Sequence, residues 1–182
     1  MVAQGSFPPE DLGPRGRTDG SGLSELFTRL VESLHPGAHV DSALEPLICT
    51  GILGQPGLLV EVRHQLERWA NLTGLPAPAV ADLVLSSYEA LANAAEHAYP
   101  SGPGLVDLVA ARTTDGRVLV TVSDRGRWRP PPADPGFRGR GIPMIKALAH
   151  CMRVEQGQQG TTVHMEWALQ GSGPGSGTAQ HE

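Results

Sequence analysis

Apolar residues recur along this chain with two periods. Between 23 and 35, Leu23, Leu26, Phe27, Leu30, Val31 and Leu34 return every three or four positions and mark one face of a short amphipathic helix. Leu47 to Leu53 is a compact apolar run that ends at the turn Gln55-Pro56-Gly57, and it reads as a first strand. Helical spacing resumes with Leu58, Val62, Leu66 and Trp69, while Glu61, Arg63, Gln65 and Arg68 fall opposite; Asn71 and Gly74 end that helix. A second helix is predicted to begin near Pro78, since proline is tolerated in a first turn. It runs to Ala98 and stops before Pro100, with Val80, Leu83, Val84, Leu91 and Ala95 in its buried stripe.

The remaining pattern is mostly of strands. Leu105 to Arg112 and Arg117 to Ser123 flank the turn Thr114-Asp115-Gly116. A Gly/Pro/Arg-rich loop, 125–141, leads to a helix from Gly141 to His150. Cys151 to Glu155 and Thr161 to Leu169 are then joined by a turn over 156–160. Consecutive strands with short turns do not alternate as βαβ units. They predict an α+β fold: a two-layer α/β sandwich with a mixed, mainly antiparallel sheet and helices on one face.

Composition narrows this picture. Residues 1–22 contain eight Gly or Pro and almost no apolar periodicity, so they read as a disordered tail. Residues 23–39 are a short helix and linker, 40–170 the folded domain, and 171–182 a Gly/Ser tail. A net charge of −5 argues against direct binding of nucleic acid or of an anionic membrane. No apolar run is long enough to span a bilayer, and the N-terminus lacks a basic-then-apolar signal pattern, so a cytoplasmic location is expected. Cys49 and Cys151 make neither a disulfide framework nor a zinc site.

Four stretches carry candidate chemistry. Glu89, Asn93 and His97 lie at i, i+4 and i+8 on the second helix, among Ala90, Ala92, Ala94, Ala95 and Ala98. Small neighbours admit a ligand close to the helix, an Asn carbonyl suits a hard cation such as Mg²⁺, and a Glu suits proton transfer. Asp124-Arg125-Gly126 puts a carboxylate at a strand end, where it would accept a hydrogen bond from an adenine amino group, and a glycine lets backbone approach the base. Gly136-Phe137-Arg138-Gly139-Arg140-Gly141-Ile142 runs into a helix whose free N–H groups favour phosphate. The surrounding stretch, Arg125 to Lys146, holds six basic residues against the single acid Asp134. Lastly, Gly160-Thr161-Thr162-Val163 opens the final strand, and the Thr161 hydroxyl is a candidate to support the same adenine pocket. Taken singly, the stretches read more readily as ordinary features: a solvated helix face, an Asp-x-Gly turn, a flexible loop, β-branched strand residues.

In this order, the four stretches resemble the ATP-binding domain shared by gyrase, Hsp90, histidine kinases and MutL, whose architecture is the Bergerat ATP-binding fold. Within that superfamily the chain looks most like the bacterial anti-sigma-factor serine/threonine kinases, and the resemblance covers residues 45–169. It rests on Glu89 to Tyr99 (EALANAAEHAY), Asp124-Arg125-Gly126, Gly139-Arg140-Gly141-Ile142 and Gly160-Thr161-Thr162. The resemblance implies ATP and Mg²⁺ as cofactors. Glu89 would be general base for an acceptor serine, and Asn93 would bind the Mg²⁺ that bridges the phosphates. His97 would be structural or a phosphate neighbour. Asp124 would hold the adenine amino group, Gly126 would pack beside the base, and Thr161 would complete that pocket. Gly139, Arg140, Gly141 and Ile142 would form the phosphate-binding end of a lid. The implied partners are a sigma factor, a small anti-sigma-factor antagonist protein and a second copy of the chain in a homodimer. A non-catalytic ATP-binding module in a serine-phosphatase partner-switching pathway is the alternative. A histidine-kinase catalytic domain would need a long phosphoacceptor hairpin, which the 23–35 helix is too short to supply. One departure stands out: Trp128 occupies the second glycine position of the family's Asp-x-Gly-x-Gly, and a proline-rich run over 129–136 follows.

Overall fold

A computed structural model of the chain describes residues 31, 37–97, 102, 104–126, 141–157 and 160–169. Its elements follow the order β1 (Leu47–Leu53), α1 (Pro56–Ala70), α2 (Ala77–His97), β2 (Leu105–Arg112), β3 (Arg117–Asp124), α3 (Gly141–Leu148), β4 (Cys151–Gly157) and β5 (Gly160–Ala168). The strands form one sheet in the order β1-β2-β3-β5-β4, and all four pairings are antiparallel. β3 lies at the centre. Its partners set the register: Val106 faces Asp124 from β2, and Val163 faces Val122 from β5.

Alternation along the strands sends Val106, Leu108 and Ala110, Val118, Val120 and Val122, and Val163, Met165 and Trp167 to one face. Leu59, Leu66, Leu83, Leu91 and Ile145 from the three helices close on them in a single apolar cluster. This is the predicted two-layer arrangement. One residue departs from the expected stripe: Leu58 is 45% exposed, whereas Leu59 is only 4% exposed. The helix advances about 100° per residue, so Leu59 falls about 20° from Leu66 and Leu58 about 80° away. Pro56 opens α1 without a side-chain cap from Gln55. At the other end, Asn71 Nδ2 donates to the Glu67 carbonyl and Gly74 turns the chain at φ +86°.

The opposite face of the sheet carries a second, smaller cluster of Val31, Ala38, Ala111 and Leu119, with Val40 and Val109 beside it. Of the helix expected over 23–35, Val31 alone is described; it is helical and 1% exposed. The chain entering β1 is pinned by Arg112, whose Nη2 lies 2.7 Å from Asp41 Oδ2 and whose Nη1 donates to the Thr73 carbonyl. The tails expected over 1–22 and 171–182 lie outside the described residues.

Candidate functional site

Helix α2 is long because nothing interrupts its stripe of Val80, Leu83, Val84, Ala90, Leu91 and Ala94. Glu89 and Asn93 flank that stripe and are half-buried. The Asn93 side chain abuts the first residue of α3. A methyl group on Gly141 would sit 2.5 Å from Asn93 Nδ2 and 3.3 Å from its Oδ1. Only a glycine lets the amide and the helix start come this close. Nδ2 is nonetheless buried and has no hydrogen-bond partner among the described residues. A buried, unpaired amide costs free energy until a ligand atom satisfies it. Half a turn of the amide exchanges its two atoms and offers a carbonyl oxygen, the donor type a hard cation takes.

α3 opens Gly141-Ile142-Pro143-Met144. The first four N–H groups of a helix have no partner within it, and proline has none to offer. The first turn therefore presents the N–H groups of Gly141, Ile142 and Met144 beside the Asn93 amide. Ile142 itself packs against the main core, which anchors this end of the helix.

Asp124 ends β3. Period-two alternation places it on the same face as Val118, Val120 and Val122, beneath the helices, so it shares a side of the sheet with Asn93. It is 8% exposed. The Gly126 N–H donates to its Oδ1 at 2.8 Å and the Thr161 N–H to the same oxygen at 3.4 Å. Burial pushes the Asp124 carboxyl above its ordinary range, and these two backbone N–H groups work against that. Both bonds fall on Oδ1, so Oδ2 remains to accept from an incoming donor. Gly160 makes this possible. Any side chain there would overlap the Asp124 carbonyl oxygen, and its φ of +126° is one that other residues rarely adopt.

The structure thus brings Glu89, Asn93, Asp124, Gly126, Gly141, Ile142 and Thr161 onto the helix-bearing side of the sheet. Thr161 reaches Asp124 through its backbone N–H. Arg125, counted with the basic loop, turns instead towards Asp107, a β2 residue on the opposite face, with Nη2 3.5 Å from Oδ2. His97 ends α2. Gly139, Arg140 and Trp128 lie outside the described residues. Two close approaches were not legible in the sequence: Gly160 on the Asp124 backbone and Gly54 against Ala95 of α2, where an added methyl would come within 2.8 Å. The positive φ of Gly160 is local, but its neighbour is set by tertiary packing.

Residues 53–167 match the histidine kinase-like ATPase domain family. Among solved structures, the RsbU and RsbW domains of Rv1364c from Mycobacterium tuberculosis superpose with a TM-score of 0.55 at 31% identity, over 67% of this chain and 32% of that one. This chain therefore spans about a third of that solved chain. The SiaB–SiaC complex from Pseudomonas aeruginosa shares the fold, with a TM-score of 0.52 at 13% identity, over 81% of this chain and 99% of the other.

Proposed function

Because the chain belongs to the histidine kinase-like ATPase domain family, which makes ATP its ligand, we propose that it is an anti-sigma factor with protein serine/threonine kinase activity. It binds ATP with Mg²⁺ on the sheet side shared by α2, the end of β3 and the start of α3. It transfers the γ-phosphoryl group to a serine of a small antagonist protein. It also holds a sigma factor, acts as a homodimer, and works in the cytoplasm. The observation that carries this reading is the seating of Asn93 against Gly141 on the same sheet face as Asp124. The 31% identity to a mycobacterial protein with RsbU and RsbW domains supports the partner-switching part.

Each residue has a task. Asp124 Oδ2 accepts from the adenine amino group, and the backbone at Gly126 lies along the base. The N–H groups opening α3 bind phosphate oxygens, with Gly139 and Arg140 completing that end. Asn93 holds the cation through its carbonyl. When bound, Mg²⁺ neutralises charge on the phosphates. Glu89, one turn before Asn93, takes the proton of the acceptor hydroxyl.

The test is transfer of label from γ-labelled ATP to the small protein that co-purifies with this chain, using wild type and Glu89→Ala. The expected result is transfer by wild type and none by Glu89→Ala, with nucleotide affinity retained. Binding without transfer by either protein would make the chain a non-catalytic nucleotide-gated module.

A further inference from the structure

The sheet face turned away from the helices is polar towards β5, yet Thr121, His164 and Glu166 on it are buried. Thr121, His164 and Glu166 point to that face by alternation, and none of α1, α2 or α3 lies over them. His164 is 6% exposed. Its Nδ1 lies 3.1 Å from Thr121 Oγ1. Its Nε2 is buried with no hydrogen-bond partner among the described residues, 3.7 Å from the nearer oxygen of Glu155. Glu166 is tied to Arg117 at 2.9 Å. Beside this group, at the β2–β3 end of the same face, Val31 is helical and sealed against Ala111 and Leu119.

We propose that the amphipathic segment 23–35 of this same chain docks as a helix across the far face of the sheet, with Val31 over β2 and β3 and its N-terminal turns over the Thr121–His164 pair. Three observations select this occupant. Val31 is already seated on the face and is the fifth of six residues in the repeat Leu23, Leu26, Phe27, Leu30, Val31, Leu34. The reach is right: eight residues from Val31 back to Leu23 span about 12 Å as helix, and two strand spacings are about 10 Å. The chain also has little freedom to carry the segment elsewhere. It re-enters at Ala38 and Val40 on this same face, and Val40 forms an isolated bridge to Thr113.

This inference is independent of nucleotide chemistry, but it constrains partners. While the helix is docked, the far face is closed to a second copy and to a bound protein. Assembly then uses another surface or displaces residues 23–35.

The test is acylation of histidines by diethylpyrocarbonate on the full chain, read by mass spectrometry, with the other six histidines as internal references. His164 is expected to stay unmodified at every protein concentration, and Phe27→Glu is expected to raise its rate at least tenfold while Ser24→Glu does not. Protection that follows the dimer fraction on dilution, read by light scattering, would make a second copy the occupant and overturn the proposal. An unchanged rate in Phe27→Glu would overturn it too. Should Phe27→Glu not fold, the wild-type chain decides alone: nuclear Overhauser contacts between the Leu30 methyls and the Ala111 methyl are expected, and their absence refutes the docking.

Discussion

The Asn93 amide and Gly141 are packed so tightly that a single added methyl would stand 2.5 Å from Nδ2. Helix α2 and the start of α3 are thereby locked face to face around one unpaired polar group. Gly141→Ala separates binding from folding. At this first helical position alanine gains less than the interior propensity of about 1 kcal/mol, and displacing the Asn93 amide works against that gain, so thermal stability should change little. The Asn93 side chain must move, so ATP affinity should fall about tenfold or more, which is roughly 1.4 kcal/mol. Calorimetric titration alongside a thermal melt checks both. A variant that binds like wild type would detach Gly141 from the site.

Asp124 gives a prediction of the opposite kind. Burial raises its pKa in the folded chain, so its favourable contribution is present below the unfolded value and is lost as pH rises through the folded value. At neutral pH the buried carboxylate is therefore a cost that the ligand site imposes. Asp124→Asn keeps an acceptor for the Gly126 N–H while removing the charge. Without ligand, it should be more stable than wild type at neutral pH, with the gap closing in acid below the ordinary carboxylate range. Urea unfolding at both ends of that range measures this, and a less stable variant at neutral pH would contradict it.

His164 contributes to the acid limb. Burial holds its pKa below the usual value; Glu155 pulls it up and Arg153 pushes it down. The unfolded chain thus takes up the proton first. Stability is full above the unfolded imidazole pKa of about 6.5 and drains as pH falls through the folded value. As pH falls from above the unfolded imidazole value to below it, wild type should lose stability that His164→Gln retains. Parallel slopes in the two proteins would show that this imidazole does not couple to folding.

Much of this was legible in the sequence, for physical reasons. β1, a compact apolar run, and β2, an alternating one, were bounded correctly because turns containing Gly, Pro or Asp interrupt them. The order of elements excluded βαβ topology before any contact was known. What failed was angular: Leu58 and Leu59 are adjacent apolar residues, and one residue of helix phase exchanges inside for outside. At the site, the residue types and their helix or strand positions were readable, since Asn93, Asp124 and Gly141 sit in local patterns. The means by which they act were not. Thr161 meets Asp124 through its backbone, Gly160 leaves space for the Asp124 carbonyl, and Arg125 lies towards Asp107. Each depends on a neighbour distant in sequence, and composition and spacing do not encode it.

The central claim is that an Asp124 carboxylate reads a purine amino group while Asn93 and the start of α3 hold the phosphates. Calorimetric titration of the full chain with ATP and with GTP, each with Mg²⁺, tests it most directly, because guanine carries a carbonyl where adenine carries that amino group. The account predicts saturable ATP binding and GTP binding weaker by about tenfold or more, a difference of roughly 1.4 kcal/mol. Equal affinity for the two nucleotides, or no heat from either, would contradict it.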